Sequence, residues 1–341
     1  MAPPFGSRAR RFLGTMALFL SSSLGALVLA EVVSRGLELG STEHKERPID
    51  DENPPWGWRG VRRFGDENTL RPRLMVLGDS FTAGRGIGRR PDYATLLGKS
   101  LGVEVFSYGG EGYSTAQELM VLRRFAPRIR PDVVLLQMSS NDFINNSEEL
   151  EAASFLNNNL KVRPYLEDGR MVLRYPRLGA FVRARTVGFS AFSRQLFYAL
   201  DRARAYLATK GYLHSVEEAI RGNPRHPAFL RAVATTRELL RQFRDDTGPG
   251  RLLAFPSDGM GEDKVFLDSM RAIGSDLEIP FFDSLPQGIS ALDTPGDSVF
   301  LPNDPHWSER GHRIAAALLT PWIQTRLAGR DAAPGSGIRP R

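Results

Sequence analysis

Ser80 stands in Gly78-Asp79-Ser80-Phe81-Thr82, directly after the apolar run Leu74 to Leu77 and before a glycine-rich turn, Gly84-Arg85-Gly86. In open parallel sheets, sites form at the carboxyl ends of strands. A serine at a strand-to-helix turn there has an exposed hydroxyl beside free backbone N–H groups, well placed to attack a carbonyl. The same tripeptide also serves as an ordinary turn with Ser as helix N-cap, so its partners decide between the two readings.

Acyl transfer needs donors aimed at the developing oxyanion and a base to take the serine proton. Two downstream stretches offer donors: the Gly112 N–H in Ser107-Tyr108-Gly109-Gly110-Glu111-Gly112-Tyr113-Ser114, and the Asn141 amide in Ser139-Ser140-Asn141-Asp142. Taken singly, Gly112 also reads as a turn residue and Asn141 as an N-cap. The base is offered by Asn303-Asp304-Pro305-His306-Trp307-Ser308-Glu309-Arg310-Gly311-His312, where an acid and an imidazole share one loop before the last helix. Histidine needs an orienting acceptor on its other nitrogen, and Asp304 beside His306 supplies one. His312 reads instead as a packing or capping residue. Tyr113 and Trp307, next to these positions, are either packing residues or surfaces on which a sugar stacks.

Rival chemistries lack their residues. The chain contains no cysteine, which removes thiol nucleophiles, thiolate metal sites and disulfides together. Gly98-Lys99-Ser100 resembles a phosphate-binding loop, but Tyr93 occupies the position of the required first glycine. A Gly-x-Ser-x-Gly elbow fails because Thr82 stands at its last glycine. There is no His-Glu-x-x-His or carboxylate cluster for a metal, and no cofactor is expected.

The elements that must position these residues are legible in the periodicity. Short apolar runs, Leu74 to Leu77, Val103 to Ser107, Val133 to Gln137, Leu252 to Phe255 and Ile279 to Phe282, each end near Gly, Ser or Asp and alternate with helical stretches at Tyr93 to Leu101, His226 to Phe243 and Gly311 to Leu327. Five such runs predict a five-stranded parallel sheet covered on both faces, an α/β fold. An insertion at about 145–225 interrupts the alternation. It contains a hairpin signal around Glu167–Gly169 and a basic amphipathic stretch, Phe181 to Lys210, read either as a helical subdomain beside the site or as a surface lying on a membrane.

The chain of 341 residues carries a net charge of +6. Between Asn159 and Lys210 eleven Lys or Arg face three Asp or Glu, so the excess is local. No zinc-finger, helix-turn-helix or RNA-binding aromatic signature accompanies it; anionic lipid or polysaccharide fits this stretch better than nucleic acid. At the N-terminus Arg8, Arg10 and Arg11 precede an uncharged run from Phe12 to Ala30 that Val32 and Val33 extend. A bilayer core requires about 20 apolar residues, a signal peptide about 7–15. The reading is a single-pass anchor at the cytoplasmic membrane with Arg35 onward outside, the alternative being cleavage after Ala30. The expected organisation is an anchor over 1–35, a linker over 36–72, the catalytic domain over 73–328 and a disordered tail over 329–341.

Gly78-Asp79-Ser80, Gly112, Asn141-Asp142 and Asp304 with His306 follow one another in the order and spacing of the four sequence blocks of the SGNH/GDSL hydrolases, and over roughly Arg73 to Leu327, the insertion aside, the chain resembles that family. The resemblance implies a flavodoxin-like three-layer fold, Ser80 as nucleophile, and Ser80, Gly112 and Asn141 as the oxyanion hole. Two positions depart from the pattern. The third block usually begins with Gly and here with Ser139. The last usually has two residues between Asp and His, and here only Pro305. A strict match falls on Asn303, which carries no charge, so the acid is read as Asp304, with Asp297 and Asp293 next in line. The shorter Asp-x-His-Trp form is similar to that of the alginate-acetyltransferase branch and of SGNH proteins associated with bacterial exopolysaccharides. The implied activity is hydrolysis of acyl, above all acetyl, esters on envelope or extracellular carbohydrate. A polysaccharide O-acetyltransferase fed by a polysaccharide-assembly membrane protein is the alternative, and a non-catalytic polysaccharide-binding protein or a lipid or peptide esterase stands behind both.

Overall fold

The computed structural model of the protein describes residues 5–40, 60–61, 72–88, 90–154, 162–174, 182, 185–187, 189–209, 215–258, 263–302 and 304–331. Its centre is a sheet whose strands are β1 (Gly60–Val61), β2 (Arg73–Gly78), β3 (Glu104–Gly109), β4 (Val133–Met138) and, after the insertion, β7 (Leu252–Pro256), in the order β1-β3-β2-β4-β7. β3, β2, β4 and β7 are parallel neighbours, and β1 pairs antiparallel on the edge. With the run at Ile279–Phe282 placed beyond β7, the order is that of the doubly wound flavodoxin-like sheet.

The sheet has four parallel strands rather than the expected five. Ile279–Phe282 does reach the edge of β7, but with only a bridge between Ala254 and Phe281, made by Ala254 N–H to the Pro280 carbonyl (3.0 Å) and Phe282 N–H to the Ala254 carbonyl (2.9 Å). Pro280 has no N–H to extend the ladder, and the chain turns at Asp283 into the next helix. The fifth strand of the sheet is instead β1, which falls in the segment read as linker; most of that linker, and the tail beyond Asp331, lies outside the described residues.

Strand period and helix period meet across this sheet. Met75 and Leu77 face one core and Leu74 and Val76 the other, because successive strand residues point to opposite faces. On the first face lie α3 (Thr115–Ile129), α8 (Pro227–Thr247) and α9 (Lys264–Asp276); on the second lie α2 (Tyr93–Leu101), α10 (Leu285–Ser290) and α11 (Glu309–Asp331). Met75, Val76 and Leu77 are fully buried, each such side chain worth about 1.5–3 kcal/mol. Three layers result, with the carboxyl ends of β2, β3 and β4 side by side.

After β4 comes α4 (Asn141–Asn145), and the insertion then runs through α5 (Glu148–Ala153) into the antiparallel hairpin β5 (Arg163–Glu167) and β6 (Arg170–Arg174). Asp168 and Gly169 at its turn both have positive φ, 47° and 77°, the two-residue geometry that Asp-Gly favours. Beyond it come α6 (Ala191–Thr209) and α7 (Val216–Gly222). The N-terminal run forms α1 (Phe5–Gly40), of which Gly14–Leu37 is long and apolar enough to cross a membrane. The helix runs past residue 35, where the anchor was expected to end.

Candidate functional site

The turn that carries Ser80 is built by two glycines that admit no side chain. A Cβ on Gly78, the last residue of β2, would lie 2.2 Å from Thr82 Oγ1 and 2.3 Å from Gln137 Oε1, and one on Gly109, the last of β3, would lie 2.3 Å from the Ala83 nitrogen. The turn therefore presses directly onto the sheet's carboxyl edge. Ala83 N–H and Arg85 N–H close it onto the carbonyls of Asp79 and Ser80 (2.9 and 3.1 Å). Asp79 is buried and acts on the turn rather than on substrate: its Oδ1 accepts Phe81 N–H (3.0 Å), its Oδ2 accepts the Ser139 hydroxyl (2.6 Å), and its own N–H goes to Gln137 Oε1 (3.0 Å). Burial pushes its pKa up, with the Ser139 and Phe81 bonds opposing.

Ser80 Oγ lies 2.6 Å from His306 Nε2, across 226 residues of sequence. His306 Nδ1 is hydrogen-bonded to Asp304 Oδ1, which also accepts the His306 backbone N–H at 3.0 Å. The expected loop is in fact a short hairpin, β8 (Phe300–Leu301) with β9 (Asp304–Trp307). In a strand, residues two apart point to the same side, so the single intervening residue, Pro305, lets Asp304 meet His306. The next residue, Trp307, turns to the opposite side and is buried. The Phe81 ring stacks on the imidazole, centroids 4.7 Å apart, and meets Trp307 edge-on. Burial raises the Asp304 pKa, but the bonds and charge of His306, with Arg85, outweigh it and hold the carboxyl at about 2.

Gly112 has φ +64°, and its carbonyl accepts Arg163 Nη1 (2.5 Å) and Asn145 Nδ2 (3.3 Å). Asn141 is the first residue of α4, with Ser140 at the N-cap position, so the alternative of Asn141 as N-cap does not hold. Its amide contacts Ser139 Oγ. Ser139, where the pattern usually has Gly, thus ties Asp79 in the Ser80 turn to Asn141. Asp297 and Asp293 are engaged elsewhere: Asp297 with Arg310 (3.1 Å), and Asp293 as acceptor of Val299 N–H (2.9 Å). Asn303 lies outside the described residues. His312 is buried, accepts Tyr93 N–H at 3.2 Å and stacks on that ring, holding α11 to α2. Tyr113 and Trp307 are each 1% exposed, so both are packing residues and neither offers a face to a sugar.

Four residues that sequence reasoning passed over complete the surroundings. Arg85 Nε lies 3.5 Å from Asp304 Oδ2; its place in the glycine-rich turn was a usable signal. Gln137 carries the bond to Asp79 N–H and donates to Ser257 Oγ (3.0 Å). Asp258 accepts Ser140 N–H and Oγ–H (2.8 and 2.7 Å), and burial, opposed by those bonds and reinforced by Asp263 and Asp79, pushes its pKa up to about 7. Arg163 comes from the insertion, 51 residues from Gly112, and no local pattern announced it. Its side chain is 7% exposed and paired with fully buried Glu151 at 2.5 Å. Among the described residues no group of three His, Cys, Asp or Glu could hold a metal ion.

Residues 76–314 match the sequence profile of the GDSL-like Lipase/Acylhydrolase family. No curated protein matches the chain. Similar solved structures include a lipase/acylhydrolase from Enterococcus faecalis (17% identity, 74% of this chain and 96% of that one, TM-score 0.42). An esterase from a Pseudoalteromonas species (10%, 75% and 99%, 0.43) and an acetyl xylan esterase from the rumen bacterium Butyrivibrio proteoclasticus (13%, 77% and 66%, 0.38) are also similar.

Proposed function

The chain belongs to the GDSL-like lipase/acylhydrolase family and is an ester-hydrolysing enzyme, and we propose that it is an O-acyl esterase for acetylated carbohydrate at the cell envelope, working through Ser80, His306 and Asp304. The 2.6 Å approach of Ser80 Oγ to His306 Nε2 carries this reading. Asp304 holds Nδ1 protonated, which leaves Nε2 free to take the serine proton. Ser80 Oγ bonds to the acyl carbon as the C=O electron pair moves onto oxygen. Collapse of the tetrahedral adduct breaks the ester C–O bond, and His306 returns its proton to the departing sugar hydroxyl. Water, deprotonated by His306, then attacks the acyl-enzyme and releases carboxylate and Ser80.

The backbone N–H groups of Ser80 and Gly112 and the Asn141 amide are the proposed oxyanion donors. Asn141 Oδ1 lies against the Ser139 hydroxyl, which leaves the NH₂ end of the amide to donate to the oxyanion.

In this reading α1 is a membrane anchor and residues from Arg35 onward work on its extracytoplasmic side. Its apolar stretch, 24 residues, spans about 36 Å as a helix, against about 30 Å of hydrocarbon. Leu18, Phe19 and Leu29 are 64–70% exposed without lipid. The Asp-Pro-His-Trp spacing favours a second reading, in which a sugar hydroxyl replaces water and the protein is an O-acetyltransferase.

The test is to incubate the detergent-solubilised full chain with acetylated polysaccharide and with p-nitrophenyl acetate, measuring free acetate and acetate transferred to added sugar. Acetate release without an acceptor supports the esterase. Transfer with negligible hydrolysis moves the assignment to the acetyltransferase, and inactivity on every acyl donor overturns both.

A further inference from the structure

The start of α6 is tied to the outer end of the apolar part of α1. The Glu31 carboxylate accepts the Ser190 hydroxyl (2.7 Å) and the backbone N–H groups of Ala191 and Phe192 (3.1 and 3.0 Å). Gln195 Nε2 donates to the Ser34 carbonyl (3.2 Å), and Arg35 Nη2 to the Phe189 carbonyl (3.3 Å). Ser34 and Ala191 are buried in this contact. A carboxylate inside a membrane span is costly; here it pairs with Arg35 Nε (2.7 Å) and meets the first free N–H groups of a second helix, where the helix dipole favours it. The contact falls within the last two turns of the Gly14–Leu37 stretch, and so fixes the start of α6 at the depth where α1 leaves the hydrocarbon.

At that depth α6 presents apolar side chains to solvent. Leu196, Leu200 and Leu207 are 39–44% exposed, Tyr206 62% and, just before the helix, Phe189 83%. Residues 196, 200 and 207 are four and seven apart in succession, one helical stripe. The Glu31 contact holds this exposed apolar side of α6 next to α1. Basic residues accompany it: Arg185, Arg194 and Arg204 all belong to the stretch that holds the chain's charge surplus. An amphipathic, arginine-bearing helix held beside a membrane span has the composition of one lying in the headgroup layer.

We propose that α6, with the exposed apolar residues just before it, is a membrane-docking surface that lies in the outer-leaflet headgroup region of an anionic phospholipid bilayer. This rests on the reading of α1 as an anchor. The apolar stripe enters the acyl boundary and the exposed side chains of Arg185 and Arg204 meet lipid phosphates. The catalytic domain is thereby held at a fixed orientation to the membrane.

The absence of cysteine makes the test clean. Full-length Leu20→Cys, Leu200→Cys and Ala234→Cys variants are nitroxide-labelled and reconstituted into phosphatidylglycerol/phosphatidylcholine vesicles, and collision rates with oxygen and with a water-soluble nickel chelate are compared. Leu20 reports the centre of α1, and Ala234 the exposed side of α8. The expected result is a lipid-like signature at Leu20, a boundary signature at Leu200 and an aqueous one at Ala234. Arg204→Gln should shift the Leu200 site toward water by about fivefold in population, the effect of about one basic charge at an anionic surface. An aqueous Leu200 label with Leu20 in lipid overturns the docking surface and leaves the anchor standing, whereas an aqueous Leu20 label overturns the anchor itself. A Leu200 label shielded from both reagents means that protein, a second copy or another chain, covers the stripe, and also overturns the proposal.

Discussion

Replacing Asp304 with Asn keeps the side chain's shape and removes the charge that faces His306. Proton transfer from Ser80 makes His306 an imidazolium, and opposite unit charges about 4 Å apart attract by about 4 kcal/mol at the effective dielectric of 20 suited to a partly exposed pair. A neutral amide forfeits this and, when its NH₂ end turns to Nδ1, also favours the imidazole tautomer that places the proton on Nε2, where it blocks Ser80. A tautomer cost of about 1.5 kcal/mol brings the loss to about 5.5 kcal/mol, or 10⁴ in kcat, the size seen for the same change in serine proteases. The Arg85 guanidinium at 3.5 Å takes part of the Asp304 charge, which lowers the expectation to about 10³–10⁴. The assay is p-nitrophenyl acetate hydrolysis at pH 8 against a Ser80→Ala blank, with a thermal melt to establish folding. Asn303→Ala should stay within about threefold of the parent, because among the described residues it is Asp304 whose carboxylate bonds His306 Nδ1. A folded Asp304→Asn enzyme within tenfold of the parent would refute the reasoning.

Ser80→Ala should lower hydrolysis by about 10⁶ with the melt unchanged, and Asn141→Ala by about 10²–10³, since one oxyanion donor goes while the nucleophile stays; equal losses in kcat would show that Asn141 has another role. Arg163→Met should cost about 3–5 kcal/mol of stability by stranding Glu151 in the interior. Arg163→Met/Glu151→Leu should recover the melt yet remain about 10–100-fold slow, because the Gly112 carbonyl has lost its anchor; full activity in that double variant would separate the insertion from the site. Asp258 binds its proton more tightly folded, near pH 7, than unfolded, near 3.8, so its contribution to stability is intact below about pH 4, falls as pH rises toward 7 and stays lost above it. Asp258→Asn should therefore melt higher than the parent at pH 8, by roughly 1–3 kcal/mol given its partial exposure, with the difference shrinking at pH 5. A constant difference across that range would count against the shift.

Much of this protein is written in short-range sequence pattern. The parallel strands of the sheet announce themselves as apolar runs because both their faces are buried, and the hairpin at Asp168–Gly169 because its turn needs positive φ at two successive residues. The order of Gly78-Asp79-Ser80, Gly112, Asn141 and Asp304 with His306 identified the family, and the match over residues 76–314 bears out that identification. What only the tertiary structure decided concerns pairs distant in sequence or single bonds. Pro280 ends a strand that periodicity alone would continue. The Asp-Pro-His spacing makes sense only once β9 is seen as a strand with Asp304 and His306 on one side. Tyr113 and Trp307 look like ligand-facing aromatics in one dimension and are core residues in three. Arg163 reaches Gly112, and Glu31 the start of α6, across 51 and more than 150 residues, contacts that carry no local signature because neither partner needs the other until the insertion has folded back. Periodicity and turn chemistry report what each segment must bury or bend. Which segments meet is fixed by the packing of the whole chain.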